Sequence, residues 1–405
     1  MGNPWAYHPF RSLLLVAVVL GTTVLAGLGA ARRDSSGSTI QFVFTSDAHY
    51  GLTRTSFRGE SQATAATVNA SLIASVNTLR DVRLPMDSGL RAGEKVGGLD
   101  FLVEGGDIAN REEETNDGAI QPASQSWAQF QHDYVSGLHA TNASGAPTRL
   151  FVVPGNHDAT NAVGFYKPMQ PARDDLALIS IYNWMLKPPQ PLDASTFDYA
   201  RDRVFTSRDI AGVHFQFLHI WPDSVMRNRM AADLDAIGSD TPVIVFTHDQ
   251  PEVEAKHFIN PNGAHDLNQA DQFENLLADR FPDGASVDLP STKAQRELES
   301  FLVRHPNVTA YFHGNSNWHQ AYEWSGPGHH ARLHVFRVDS PMKGAVSADD
   351  ERRLSFQLAT IDVARRTMTV RECLWNAQGA DTKTVVWGDS VTVTLEPRPR
   401  SSSGF

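Results

Sequence analysis

The residues best equipped for chemistry are Asp, His and Asn side chains placed where apolar runs stop. Thr39–Thr45 (TIQFVFT) gives way to Asp47 and His49, and Leu99–Val103 to Glu104-Gly105-Gly106-Asp107. Leu150–Val153 is stopped by Pro154-Gly155 and followed by Asn156, His157 and Asp158. Thr241–Thr247 ends on His248-Asp249, and Val308–Phe312 feeds His313-Gly314-Asn315-Ser316-Asn317-Trp318-His319. Singly, each has an ordinary explanation: an Asp-x-His pair arises by chance, Gly-Gly-Asp is a common turn, and a strand-end histidine caps a carbonyl. Five strand ends of one kind are hard to produce without a shared site. Two carboxylates, neutral imidazoles and an amide oxygen form a mixed nitrogen/oxygen donor set, suited to divalent metals such as Mn, Fe, Zn or Mg. A carboxylate shared between two ions would let them sit about 3.5–4 Å apart, the spacing that clamps an in-line displacement.

The elements that must position these groups follow from periodicity. Residues 60–80 carry apolar side chains at helical spacing (Ala65, Val68, Leu72, Ile73, Val76, Leu79), and residues 125–140 do the same with Trp127, Phe130, Tyr134 and Leu138. A third helix is expected over Ala294–Arg304. Val213–Ile220 reads as a further strand, and four more strand-like runs close the chain: Leu333–Val338, Ser355–Asp362, Thr367–Cys373 and Ser390–Leu395. The acidic stretch Asn110–Asp117 reads as a loop. Residues 158–200 read as a long loop with short helices, and residues 250–290 as an irregular pocket rim. Strands alternating with helices, then mostly strands, suit an α/β layered domain whose sheet finishes antiparallel. In such sheets ligands collect in one crevice at the carboxyl ends of the strands.

With 405 residues, 41% of them hydrophobic and 20% charged, the chain has ample material for a large core. A formal net charge of −11 argues against a nucleic-acid-binding surface. It leaves anionic substrates open, because bound cations reverse the local field. One cysteine, Cys373, forbids an intramolecular disulfide and a thiolate cluster, and reads as a buried small apolar residue; histidine, at 16, is the abundant soft ligand. Residues 12–31 are almost wholly apolar, with Arg11 before and Arg32–Arg33 after, so residues 1–31 read as an export signal cut near Ala31. The same stretch is long enough for a membrane tether, since about 20 apolar residues cross a bilayer. Either way the catalytic part is expected outside the cytoplasm: secreted, periplasmic or membrane-anchored. Residues 32–38 read as a linker, 39–396 as the functional domain, and 397–405 as a disordered tail.

The order DxH, GGD, GNHD and a strand-end THD resembles the calcineurin-like metallophosphoesterase superfamily, over about Ile40 to His319. The resemblance implies a four-layer αββα sandwich with two mixed sheets and a two-metal site at the strand C-terminal ends. It implies Asp47 and His49 as ligands of the first ion, Asp107 as the bridging carboxylate, and Asn156 and His248 as ligands of the second. His157 is similar to the family's histidine that faces the leaving group, as a general acid near neutrality; Asp158 either orients that imidazole or serves the turn. Two cations would lower the pKa of a bridging water to give hydroxide at neutral pH, and would neutralise phosphate oxygens in the transition state.

The fifth block departs from the family's Gly-His-x-His. It reads Gly314-Asn315-Ser316-Asn317, so asparagine stands where both histidines are expected. An amide oxygen is harder and weaker than an imidazole nitrogen, which shifts preference from zinc toward Mn, Mg or Ca. His313 and His319, flanking the block, are the substitutes at hand; loss of one metal position is the other alternative. A tyrosine three residues after the bridging aspartate marks the purple iron enzymes, and here that position is Asn110. Arg54 and Arg58 could reach a substrate phosphate as planar forks or lie in a solvated loop. Trp318, Tyr322 and Trp324 read as packing aromatics and His219 as a core histidine. Asn69, Asn142 and Asn307 carry glycosylation sequons. The function expected is a metal-dependent phosphoric-ester hydrolase, phosphomonoesterase or phosphodiesterase, with a small-molecule or polymer substrate. The alternative is a binding module on the same fold, its metal set impaired by Asn315 and Asn317.

Overall fold

In the computed structural model, the described residues are 39–110, 120–159, 174–258, 276–279, 290–380 and 384–397. The expected export segment, the linker, all but the first residue of the tail, and most of the acidic loop lie outside them. Among the described residues no helix is long and apolar enough to cross a membrane.

The strands in chain order are β1 (Thr39–Thr45), β2 (Thr53–Phe57), β3 (Glu60–Thr64), β4 (Phe101–Glu104), β5 (Arg149–Val152), β6 (Phe205–Ile210) and β7 (Val213–Leu218). They continue as β8 (Val243–Phe246), β9 (Val308–His313), β10 (Gln320–Trp324), β11 (Leu333–Arg337), β12 (Ser355–Asp362), β13 (Thr367–Leu374) and β14 (Val386–Thr394). The helices are α1 (Ala65–Thr78), α2 (Ala123–Phe130), α3 (Leu176–Leu186), α4 (Ser224–Leu234) and α5 (Thr292–Arg304). Two six-stranded sheets result, ordered β14-β13-β12-β1-β4-β5 and β10-β11-β9-β8-β7-β6. Each is mixed. In the first, β1, β4 and β5 run parallel while β12, β13 and β14 add antiparallel strands. In the second, β7, β8, β9 and β11 are parallel, with β6 and β10 antiparallel at the edges.

The layering can be read from alternate residues. In β8, Ile244 and Phe246 enter the core between the sheets, while Val243 and Val245 pack outward with Met230 and Leu234 of α4 and Leu298, Phe301 and Leu302 of α5. β9 repeats this from Ala310 on, with Ala310 and Phe312 inward and Tyr311 outward; Val308, which also packs outward, lies across a register shift against β8. That two-residue period is what a strand covered on both faces requires. α1 buries Val68, Leu72, Ile73 and Val76 in the same cluster as the first sheet. The fold is the expected four-layer sandwich, with two mixed sheets between helices. Its centre is aromatic: Phe42 of β1 stacks on Phe101 at 4.7 Å and meets the edges of Phe246 at 5.4 Å and Phe312 at 5.3 Å from the other sheet.

β1, β12 and the start of β9 fall where periodicity places them, whereas β2, β3, β6, α4 and β10 lie where no element is expected and α1 starts later than expected. The helix expected from residue 60 begins at Ala65, because Glu60–Thr64 pairs with Thr53–Phe57 and Thr64 caps the helix through the amide of Thr67. The turn between those strands is Arg58-Gly59, both left-handed. α3 is one of the short helices expected over residues 158–200, while β6 and α4 form in stretches where no steady period is visible.

Phe42→Ala should lower unfolding stability by about 3–5 kcal/mol, because the large cavity lies where both sheets meet. A shift of the urea midpoint at unchanged slope is the expected reading; a loss below about 1 kcal/mol would contradict this packing.

Candidate metal centre

The five strand ends converge. β1 and β4 are parallel neighbours, so their C-terminal loops lie side by side, with Asp47 N–H donating to Gly106 O and His49 N–H to Asp107 O, each at 2.8 Å. The second sheet brings its own pair: Gly314 N–H donates to His248 O at 3.0 Å. Asp47, His49, Asp107, Asn315 and Asn317 all take left-handed backbone conformations, a local strain that clusters where side chains must be aimed. Glycines make the approach possible. A Cβ on Gly155 would run into the Asp107 carboxylate, and one on Gly314 into the Asp47 carboxylate and Ser46 Oγ.

Asp107 is the centre of the result. Its Oδ2 lies 3.2 Å from His248 Nε2, 3.8 Å from His49 Nε2 and 3.8 Å from His157 Nε2. Its Oδ1 accepts the His157 backbone N–H at 2.8 Å. His49 Nε2 also lies 3.6 Å from Asp47 Oδ1, and the His49 and His157 rings meet edge to face at 4.7 Å. Two ligand groups therefore share Asp107: His49 with His157, and Asp47 with His248. All of these side chains are buried. Burial works against the charge of Asp107, yet the imidazoles of His248 and His157 hold its carboxyl well below the usual carboxylate range. Burial also opposes charge on His248, but Asp107 beside it raises its pKa well above the ordinary value. Burial pushes His157 well below its ordinary value, partly opposed by Asp107.

The donor chemistry fits a cation. His248 Nδ1 meets the Gly105 carbonyl at 2.8 Å and must donate to it, so in the neutral ring Nε2 is a lone pair. That lone pair faces Asn156 Oδ1 at 3.0 Å and Asp107 Oδ2 at 3.2 Å. With the Asn156 oxygen turned inward, three acceptors converge in a dry site, which is stable only around a proton or a metal ion. Asp47 Oδ1 and Asn317 Oδ1 are also buried without hydrogen-bond partners, as ligand atoms would be.

The calcineurin-like phosphoesterase model matches residues 40–314 of the chain. The chain belongs to the calcineurin-like phosphoesterase family. It is thus a hydrolase of phosphoric esters, with divalent metal ions as the cofactor its ligand groups suggest. No curated relative matches it. Solved structures similar to this phosphoesterase include a dimetal phosphatase from Danio rerio (12% identity, TM-score 0.43, covering 88% of this chain and 99% of that one). Others are Vps29 from Chaetomium thermophilum (8%, 0.30, covering 88% and 100%) and calcineurin-like phosphoesterase YfkN from Bacillus subtilis (12%, 0.31, covering 88% and 91%).

Several residues of the phosphoesterase stand elsewhere than their neighbours in sequence suggest. Asp158 is not aimed at His157: its oxygens accept from Ala109 N–H and Gly155 N–H, each at 2.9 Å, pinning the two loops that frame Asp107. Burial, with the Asp107 charge second, raises its carboxyl to about 7. Arg54 is buried and donates to the carbonyls of Pro341 and Ser347; Arg58 donates to Asn376 Oδ1 at 2.7 Å and lies over the Phe57 ring. Both guanidinium groups brace loops instead of facing a phosphate. His313 is buried, donates from Nδ1 to Gly314 O at 2.8 Å and joins neither ligand group; burial lowers its pKa to about 3. His319 belongs to a separate cluster with Glu372 and Asp389. Asn315 reaches the site through its backbone, its N–H donating to Asp47 Oδ2 at 3.1 Å while its side-chain amide meets Gln250. Trp318 carries the Arg337 guanidinium at 3.8 Å, and His219 is a buried neighbour of the Tyr199 hydroxyl. Asn69 and Asn307 are buried, which removes two of the sequons from reach.

Three site residues escaped sequence reasoning. Glu104, fully buried, accepts the Gly106 N–H and is pushed well above its ordinary pKa by burial. Ser340 donates its hydroxyl to Asp47 O at 2.9 Å, and Lys343, whose charge acts on His157, follows on the same loop. Ser340 was findable, since Asp339-Ser340 follows the apolar run Leu333–Val338 as the other polar pairs follow theirs. Lys343 carries no such signal.

Asp158→Ala should cost about 2–4 kcal/mol of stability, from two buried backbone N–H groups left without their acceptor. Urea unfolding measures this. A stable Asp158→Ala protein whose only defect is leaving-group dependence would restore the histidine-orienting role.

Proposed function

We propose that this phosphoesterase hydrolyses mono- or diesters of phosphate outside the cytoplasm, with two divalent ions that share Asp107. The observation carrying this reading is the convergence of His248 Nε2, Asn156 Oδ1 and Asp107 Oδ2. Asp47 and His49 would hold the first ion, and Asn156 and His248 the second. Asn317, through its buried Oδ1, would replace one imidazole of the family pattern, whereas Asn315 enters through its backbone N–H to Asp47, its side-chain amide being turned to Gln250. When bound, the ions would acidify water and offset charge developing on the phosphoryl oxygens. The harder amide donors favour Mn, Mg or Ca over Zn. Export rests on the apolar segment at residues 12–31.

The chain's own groups supply the rest. His157, held against Asp107 by both its ring and its backbone N–H, has Nδ1 buried without a partner. Because burial lowers the pKa of this ring, that nitrogen would hold a proton for the leaving oxygen only once a bound phosphoryl anion offsets the burial. Among the described residues, Lys343, whose charge acts on His157, would help offset charge on the phosphoryl oxygens.

Purified protein assayed on mono- and bis-(p-nitrophenyl) phosphate with Mn, Zn, Mg or Ca should turn over at least one ester. Asp107→Ala should abolish that turnover and lower metal content. Fewer than one bound metal and no turnover with any ion would leave the fold as a binding module. His157→Ala should slow esters with poor leaving groups far more than activated aryl esters, whereas an equal loss on both would remove the general-acid role.

A further inference from the structure

On the other side of the loop that follows β11, a second group of ligand-type side chains gathers. His319, Glu372 and Asp389 each offer an atom, and these atoms lie within 4.8 Å of one another. They line a cavity of about 60 Å³ together with Asp339, Ser355 and Arg353. A cluster of carboxylates alone would be unremarkable on a surface, but the cavity has a dry wall. Asp339 is 3% exposed, and its carboxylate oxygens make no hydrogen bond of ordinary geometry, with the Ser347 hydroxyl and the Ser340 amide as their polar neighbours. Ser355 Oγ, also buried, has no partner either. Burial raises the Asp339 carboxyl to about 7, with Ser347 and Ser340 offsetting this in part.

The strand register aims the other ligands. β13 and β14 lose register between Arg371 and Cys373, and Glu372 sits in that irregularity opposite Gly388 and Asp389. Such a bulge redirects a side chain. The Glu372 carboxylate fills the space a Gly388 Cβ would occupy, and its Oε2 accepts the Asp389 N–H at 3.3 Å. The Gln357 amide, 3.2 Å from His319 Nδ1, sets the edge of that ring. Glu372 and Asp389 face Arg353 on the rim, while Asp339 also feels the charge of Arg54.

We propose that His319, Asp339, Glu372 and Asp389 form a divalent-cation site separate from the catalytic centre, for an ion of the Mn or Zn class that accepts both carboxylate and imidazole donors. The ion braces three segments: the β13–β14 hairpin, the chain just after Asn317, and the Asp339–Ser347 loop. That loop is already tied to the catalytic centre, by Ser340 Oγ–H to Asp47 O at 2.9 Å and by Ala345 N–H to Asn317 O at 2.6 Å. The ion is structural and takes no part in turnover.

The test uses the full chain, stripped with chelator and dialysed against Mn²⁺, with bound metal measured by elemental analysis and Tm by thermal unfolding. In the Asp107→Ala background, which isolates this site from the shared catalytic ligand, Mn²⁺ should still bind and raise Tm. Adding Asp389→Asn should remove one equivalent or weaken Mn²⁺ binding at least tenfold, and abolish the rise in Tm. Asp389 is exposed, so that variant folds even if Glu372→Gln does not. Gly388→Ala, which sets a methyl group against the Glu372 carboxylate, should act in the same direction without changing charge. Unchanged Mn²⁺ content and an unchanged Tm shift in Asp389→Asn would overturn the proposal, as would an Asp107→Ala protein that binds no Mn²⁺.

Discussion

Everything around the strand ends depends on one electrostatic constraint: Asp107 is a buried carboxylate that must be compensated. An isolated charge in a protein interior is too costly to persist, and it is retained only when paired, hydrogen-bonded or bound to a metal. Here three imidazoles surround it, at 3.2, 3.8 and 3.8 Å. One backbone N–H satisfies its other oxygen. In the protein alone, that compensation falls to a proton held on His248. A metal ion would take over the same role, and His248 is prepared for the exchange because Gly105 O fixes its other nitrogen as the donor.

That constraint explains the backbone. Two carboxylates, three imidazoles and an amide can converge only if several loops leave their strands at sharp angles, which five left-handed residues and the bare backbone of Gly155 and Gly314 supply. Such a site is legible in sequence for a physical reason. Each loop must stop an apolar strand, turn with little side-chain bulk and present a polar group at once, so the signal is compressed into a few adjacent residues. The same compression made Asp158 misleading. Adjacent to His157 in sequence, it turns instead to the amides of Ala109 and Gly155. Arg54 and Arg58 failed for a related reason. They follow the Asp47–His49 block closely, but the hairpin of β2 and β3 carries their guanidinium groups toward the Pro341–Ser347 and Asn376 loops.

The fold was legible where side chains alternate or repeat. β1 coincides with its apolar run, and the layering follows from strands buried on both faces. α3, by contrast, is nearly all apolar (LALISIYNWML), so it shows no amphipathic stripe to distinguish it from a buried loop. The helix expected from residue 60 had its stripe, yet its first turn was taken by strand pairing. Tertiary pairing and a threonine cap outcompeted local propensity there.

The asparagines of the fifth block change how the site is held together more than how much charge it carries. An imidazole contributes a directional lone pair from a rigid ring, whereas an amide oxygen binds more weakly and its side chain rotates more freely. Asn317 is fixed by its own backbone and by Asn315: its carbonyl accepts from Ala345 N–H and its amide donates to Asn315 O at 3.0 Å. Weaker ligands require a stiffer frame if their geometry is to survive without the metal. The frame here is the Asp339–Ser347 loop, bonded to both Asp47 and Asn317 and packed against the carboxylates around His319. A histidine displaced from the catalytic block by two residues thus stands where it can stabilise that block from behind. The loss of imidazole donors inside the centre is matched by polar bracing outside it.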